Sequence, residues 1–171
     1  MTTPSTDVFT HEYDELFQRF AAEFFGGFDV DWRWFRAQGI VESGLDPRAV
    51  SPAGAMGILQ LMPGTSAEMA VRLNLVDSPA NPEFNIRCGI AYDRRCWDIW
   101  KQEAGIERLS FMFASYNAGP GNIIKAQWLA VVKNKWSSVS TQLHRITGSD
   151  DAPETINYVR RIKKVYGWEM P

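Results

Sequence analysis

The chain has 171 residues, 45% of them hydrophobic and 22% charged, with a formal net charge of −2. That length supports one well-buried core, and the near-neutral balance lacks the basic footprint by which nucleic acid is first recognised. No window comes near the run of about eighteen apolar residues that a membrane-spanning helix needs, and the start, MTTPSTDVFT, has neither the basic beginning nor the apolar run of a secretory leader.

Residues 1–10 read as a loose polar segment and 11–171 as one folded domain. From His11 to Phe25, Leu16, Phe17, Phe20, Ala21 and Phe24 fall at three- and four-residue intervals, the pattern of an amphipathic helix, and Gly26 and Gly27 end it. Asp31 can cap a second helix that runs through Trp34, Phe35 and Ile40 to about Glu42, where Gly44 and Pro47 close it. Twenty residues of glycine, proline and small side chains follow, with room for at most a very small β ribbon over Met56 to Leu61.

Thr65 and Glu68 have the spacing of a capping box for a short helix through Met69 and Leu73. A longer helix is expected from Pro82 to Lys101, another from Glu107 to Tyr116, and a third from Pro120 to about Val132. The segment from Lys133 to Asp151 carries no clear period. Pro153 then suits the first turn of a last helix whose buried face is Ile156, Val159, Ile162 and Val165. The class is mostly α.

Cys88 and Cys96 lie eight positions apart in a helical segment. A rise of about 1.5 Å per residue separates them by about 12 Å, too far for a disulfide, so both read as buried thiols. His11 and His144 form no metal-ligand pattern, and neither a metal nor a cofactor is expected.

The chain contains no nucleophile elbow, P-loop or dinucleotide fingerprint. Carboxylate chemistry remains, and Glu42 is the unusual acid. It sits in the last turn of its helix, at the negative end of the macrodipole, after Ile40 and Val41. Both surroundings favour the neutral form, which can donate a proton to a departing glycosidic oxygen. An ordinary exposed helix-end glutamate is the plainer alternative on position alone.

Three ordered segments decide between these readings. ESGLDPRAVSPAGAMGILQLMP, starting at Glu42, resembles the signature of the soluble-type lytic transglycosylases, the SLT domain of the lysozyme-like superfamily and glycoside hydrolase family 23. FASYNAGPGNI, from Phe113, resembles that family's Ala-Tyr-Asn-Ala-Gly motif, and PETINYVRRI, from Pro153, its Glu-Thr-Arg-x-Tyr-Val segment. The resemblance implies a lysozyme-like, mostly helical single domain that binds peptidoglycan glycan strands and needs no cofactor. Its reaction breaks the β-1,4 bond between N-acetylmuramic acid and N-acetylglucosamine without water and leaves a 1,6-anhydro end. One carboxyl, Glu42, would act first as acid and then as base while the sugar's own acetamido group supports the charge at C1. No second catalytic carboxylate is then required, and Asp46, before Pro47, reads as a turn residue.

The resemblance also implies substrate contacts. Ser51 would polarise the acetamido group or orient the acid, Gln60 and Met62 would read and wall the glycan, Tyr116 and Asn117 would face the acid, and Glu154 would lie near the substrate. Tyr158, four residues after Glu154, would share its side of the helix. Each has a structural alternative: a turn for Ser51, the core for Tyr116, a helix cap for Asn117 and a dipole partner for Glu154. Departures from the pattern are Ile58-Leu59, Ser115 in place of alanine, and Ile156-Asn157 in place of an Arg-containing pair.

Two alternatives stay open: a hydrolytic muramidase like the goose-type lysozymes, and a non-catalytic peptidoglycan-binding part of a cell-wall-penetrating machine. The substrate lies outside the cytoplasmic membrane and no leader is visible, so delivery by a phage virion, a holin or a secretion apparatus is expected, with a trimmed form of an exported enzyme as the plain alternative.

Overall fold

The computed structural model describes residues 10–167. They form two compact units, 10–90 and 91–167. The expected loose segment falls almost wholly on residues 1–9, outside the described residues.

The first unit contains α1 (Asp14–Phe25), α2 (Arg33–Ser43), α3 (Pro63–Leu73) and the first half of α4 (Pro82–Ile99). α1 buries Phe17, Phe20, Ala21 and Phe25, and α2 buries Trp34, Phe35, Ala37, Ile40 and Val41. Phe25 and Phe35 meet with ring centroids 4.8 Å apart. Burying one such ring is worth roughly 1.5–3 kcal/mol. A half-buried ion pair, Arg36 Nε to Asp14 Oδ1 at 2.8 Å, ties the same two helices. The N-cap of α2 is Trp32, which makes no side-chain cap bond; Asp31, expected as the cap, lies one residue earlier and accepts the Arg33 backbone N–H at 2.9 Å. At the other end of α2, Gly44 is left-handed (φ 67°) and its N–H closes on the helix carbonyls.

α3 corrects the expected capping box. Its first residue is Pro63, with Met62 as an extended N-cap that makes no side-chain cap bond. Proline supplies the helix start through its fixed φ, so Thr65 falls inside the first turn. Glu68 instead accepts from Arg72 Nε at 3.2 Å, one turn on. The expected ribbon reduces to two isolated antiparallel bridges, Val50 with Met56 and Met56 with Leu61.

The second unit holds the rest of α4, α5 (Gly105–Ala118), α6 (Pro120–Leu129), α7 (Trp136–Ser140) and α8 (His144–Tyr166). α5 buries an unbroken run from Leu109 to Ser115 and packs against α6, α7 and α8. Trp100 and Trp136 both pack against Phe111, with ring centroids 4.7 and 5.9 Å from it. The stretch from 133 to 151, unreadable by period, contains α7 and the first turn of α8. α7 is too short to show a repeat, and Gly148 (φ 91°) breaks α8 after a single turn. Pro153 lies inside the helical span, about one turn after the helix resumes beyond Gly148. The buried face beyond it includes Ala152, Thr155, Tyr158, Val159 and Ile162. Val165, expected on that face, is exposed.

Cys88 and Cys96 are free and buried, as their spacing requires. Burial pushes the Cys88 thiol up to about 12 and the Cys96 thiol higher still, so neither is a nucleophile near neutral pH. No helix among the described residues is long and apolar enough to cross a membrane, and no cluster of three or more His, Cys, Asp and Glu there could hold a metal ion.

Candidate active site

Glu42 is half-buried in the last turn of α2, one residue before the helix ends. Its neighbour Ser43 reaches out of the helix: the hydroxyl donates to the Ile58 carbonyl at 2.9 Å. This bond fixes the end of α2 against the loop that carries Ser51, Gln60 and Met62. Leu45, like Gly44, is left-handed (φ 66°). Two such residues in succession turn the chain sharply as it leaves the acid.

That loop is held from inside. Asn85, 1% exposed on α4, accepts the Leu59 N–H at 2.7 Å through Oδ1 and donates through Nδ2 to the carbonyls of Met56 and Pro79, both at 2.8 Å. One buried amide thus serves three backbone groups, of which the Met56 carbonyl also accepts the Leu61 N–H at 3.0 Å. Gly57 has φ +79°, and a Cβ there would come within 2.4 Å of Asn85 Nδ2 and 2.6 Å of the Pro79 carbonyl. Only glycine lets the backbone sit against that amide. Gly89 plays the matching part on α4, where a Cβ would lie 2.4 Å from Leu59 Cδ1.

The predicted residues of the loop divide by how they are used. Ser51 accepts the Ala55 N–H at 3.0 Å through its hydroxyl, and its own N–H donates to the Ala55 carbonyl at 2.9 Å. The turn alternative for Ser51 therefore holds; as an acceptor, the hydroxyl keeps its own proton for donation. Gln60 is left-handed (φ 45°), and its side-chain Nε2 donates to the carbonyls of Ala49 and Gly57 at 3.2 and 2.9 Å. Its donor group is spent on the loop itself, which sustains a backbone conformation costly for a non-glycine residue. Met62 is an exposed apolar side chain at the end of the loop. Asp46 accepts the Arg48 N–H at 2.8 Å, the turn role expected of it.

In the second unit the ring of Tyr116 packs edge-on against Tyr92, centroids 5.3 Å apart. Tyr116 is half-buried and therefore belongs wholly neither to core nor to surface. Asn117 is not a helix cap, because α5 continues to Ala118 and ends at Gly119. Its Oδ1 accepts from Thr155 Oγ1 at 2.7 Å, which joins the end of α5 to the middle of α8. Beside this pair is a cavity of about 190 Å³ lined by Asn117, Asn122, Thr147, Asp151, Glu154 and Thr155, among others. Asn117 and Glu154 are thus brought together. Tyr158, one turn after Glu154 on α8, is buried, whereas Glu154 is exposed.

Ser115 explains one departure from the motif. Its buried hydroxyl accepts the indole N–H of Trp100 at 2.9 Å. Alanine would leave that donor stranded, so Ser115→Ala is expected to cost about 1–3 kcal/mol of stability. Urea unfolding checks this; an unchanged midpoint would contradict it.

Sequence reading did not single out Asn85 or Thr155 as positioning groups. The signal for Asn85 was an asparagine within a helix, a residue type that earns such a place by bonding backbone elsewhere.

With this geometry described, comparison with known proteins is direct. The family profile for the Transglycosylase SLT domain matches residues 26–139. The membrane-bound lytic murein transglycosylase F of Vibrio cholerae is 30% identical over 166 residues, covering 88% of this chain and 29% of that protein. The soluble lytic murein transglycosylase of Escherichia coli is 30% identical over 155 residues, covering 88% of this chain and 22% of that one. The solved lytic transglycosylase Slt of Pseudomonas aeruginosa superposes with a TM-score of 0.70 at 24% identity, over 94% of this chain and 24% of that one. The mostly helical, lysozyme-like fold expected from the three motifs is the fold observed. The chain spans less than a third of the length of the relatives it matches.

Proposed function

Because the chain belongs to the Transglycosylase SLT domain family, we propose that it is a peptidoglycan lytic transglycosylase whose catalytic domain is residues 11–171. It cleaves the β-1,4 bond between N-acetylmuramic acid and N-acetylglucosamine, and Glu42 carries the proton in both steps. The Glu42 carboxyl first gives its proton to the glycosidic oxygen as the C1–O bond breaks, while the acetamido oxygen of the muramic acid supports C1. The resulting carboxylate then takes the proton of the C6 hydroxyl as O6 bonds to C1. Acid and base are restored in one residue, and no water is consumed.

The observation that carries this reading is the frame around one carboxyl. Glu42 lies in the last turn of a helix whose final residue, Ser43, is bonded to the loop at Ile58, and that loop is pinned by a buried amide. Such support holds an acid in one orientation, which a proton donor and acceptor at a fixed bond requires. Ser51 keeps a proton that it can offer to the acetamido group. Met62 supplies an exposed apolar surface suited to a sugar face, and the family motifs put forward Tyr116, Asn117 and Glu154 as further substrate contacts.

Purified sacculi provide the test. Incubation with the protein is expected to release muropeptides one water lighter than reducing products. Release of reducing ends would make the protein a muramidase, and binding to sacculi with no release would make it a binding module.

A further inference from the structure

The end of α6 displays apolar side chains to solvent. Trp128 is 76% exposed, Leu129 47%, Val131 94% and Val132 45%. These four lie within five consecutive positions, and the chain beneath them is anchored. Ala130 is buried, Gln127 Nε2 donates to the Lys133 carbonyl at 2.9 Å, the Val132 N–H donates to Ser138 Oγ at 3.1 Å, and the Lys135 N–H donates to the Val132 carbonyl at 3.4 Å. A turn tied at both ends holds Val131 and Trp128 outward, so their exposure is a fixed feature of the surface.

The charge carried by the turn's own segment has one sign. The sequence contains 20 acidic residues, yet none between Glu107 and Asp150, while Lys125, Lys133 and Lys135 flank the apolar group. Two acids approach from α5 and the segment before it: Glu107 pairs with Lys135 at 3.4 Å, and Glu103 accepts from Gln127 at 3.0 Å. Lys125 and Lys133 have no ion-pair partner among the described residues and are exposed. An outward apolar wedge that includes a tryptophan, set between exposed lysines, has the chemistry of a contact with an anionic bilayer surface.

We infer that the turn at 128–132 is a docking site for anionic lipid headgroups, with Trp128 and Val131 entering the interface and Lys125 and Lys133 meeting the phosphates. The readout is binding and needs no turnover, so this site stands or falls separately from the reaction.

The test is co-sedimentation of the full chain with phosphatidylcholine vesicles, with and without phosphatidylglycerol. Binding is expected with phosphatidylglycerol, weakened by salt, and far weaker without it. Val131→Asp is expected to weaken it about tenfold or more, and Lys133→Glu about fivefold or more. Val71→Asp, at a valine 82% exposed on α3, should leave it unchanged. Circular dichroism verifies that each variant is folded, as such exposed positions should allow. Absence of binding to the anionic vesicles, or equal binding by the wild type and Val131→Asp, would overturn the inference. So would self-association in sedimentation velocity that Val131→Asp abolishes, because the turn would then be a protein interface.

Discussion

Replacing Glu42 by glutamine is expected to reduce turnover on sacculi by about a thousandfold or more while leaving the fold and glycan binding intact. Loss of a single general acid or base typically costs about 10²–10⁴ in rate, and here one carboxyl serves both steps. Glutamine has nearly the same shape, so the last turn of α2 and the Ser43 bond to Ile58 should persist. The checks are initial rates of muropeptide release, thermal melting and sacculus pull-down, each against the wild type. A variant that retains turnover within about tenfold of wild type would remove Glu42 from the mechanism.

Asn85→Leu is expected to have the largest effect on stability of any single change around the loop. Leucine has a similar volume but no polar atom, so the Leu59 N–H and the Pro79 carbonyl lose their partner, while the Met56 carbonyl keeps only the Leu61 N–H at 3.0 Å. Leaving a buried group unsatisfied costs about 1–3 kcal/mol, and with two groups the total is about 2 kcal/mol or more. For a chain of this size each kcal/mol lowers Tm by about 2–4 °C, which predicts a fall of about 4–8 °C. Activity should fall with it even where the variant is fully folded. The released loop carries Gln60 and accepts the Ser43 bond, and a displacement of about 1 Å at such a site costs up to about a hundredfold. Asn85→Asp does not rescue it, since a carboxylate would face two carbonyl oxygens. A Tm within 2 °C of wild type would show that the amide is not what holds the loop.

The sequence expresses some parts of this structure more plainly than others, for physical reasons. α1 and α2 were readable, the start of α2 to within one residue, because burial repeats at helical spacing and Asp31 and Gly44 bond the backbone near the two ends of α2. The start of α3 was misassigned because two signals competed. Thr65 and Glu68 have the right spacing for a box, but Pro63 fixes the helix start two residues earlier. α7 and the break at Gly148 left no period because each is about one turn long.

The site shows the same division. Glu42 was readable as an acid at a helix end, and its motif named it. What fixes the loop beside it was not, because Asn85 acts across 26 positions on Leu59 and 29 on Met56. The clash that makes Gly57 obligatory exists only once α4 is packed. Gln60, expected to read the substrate, also serves the loop through its amide donor. A long-range hydrogen bond has no signature in local spacing.

The most direct test of the central claim is digestion of sacculi in heavy-oxygen water, followed by mass analysis of the muropeptides. Attack by the sugar's own C6 hydroxyl predicts anhydro products that carry no heavy oxygen and are one water lighter than reducing products. Incorporation of one heavy oxygen at the cleaved C1 would contradict it.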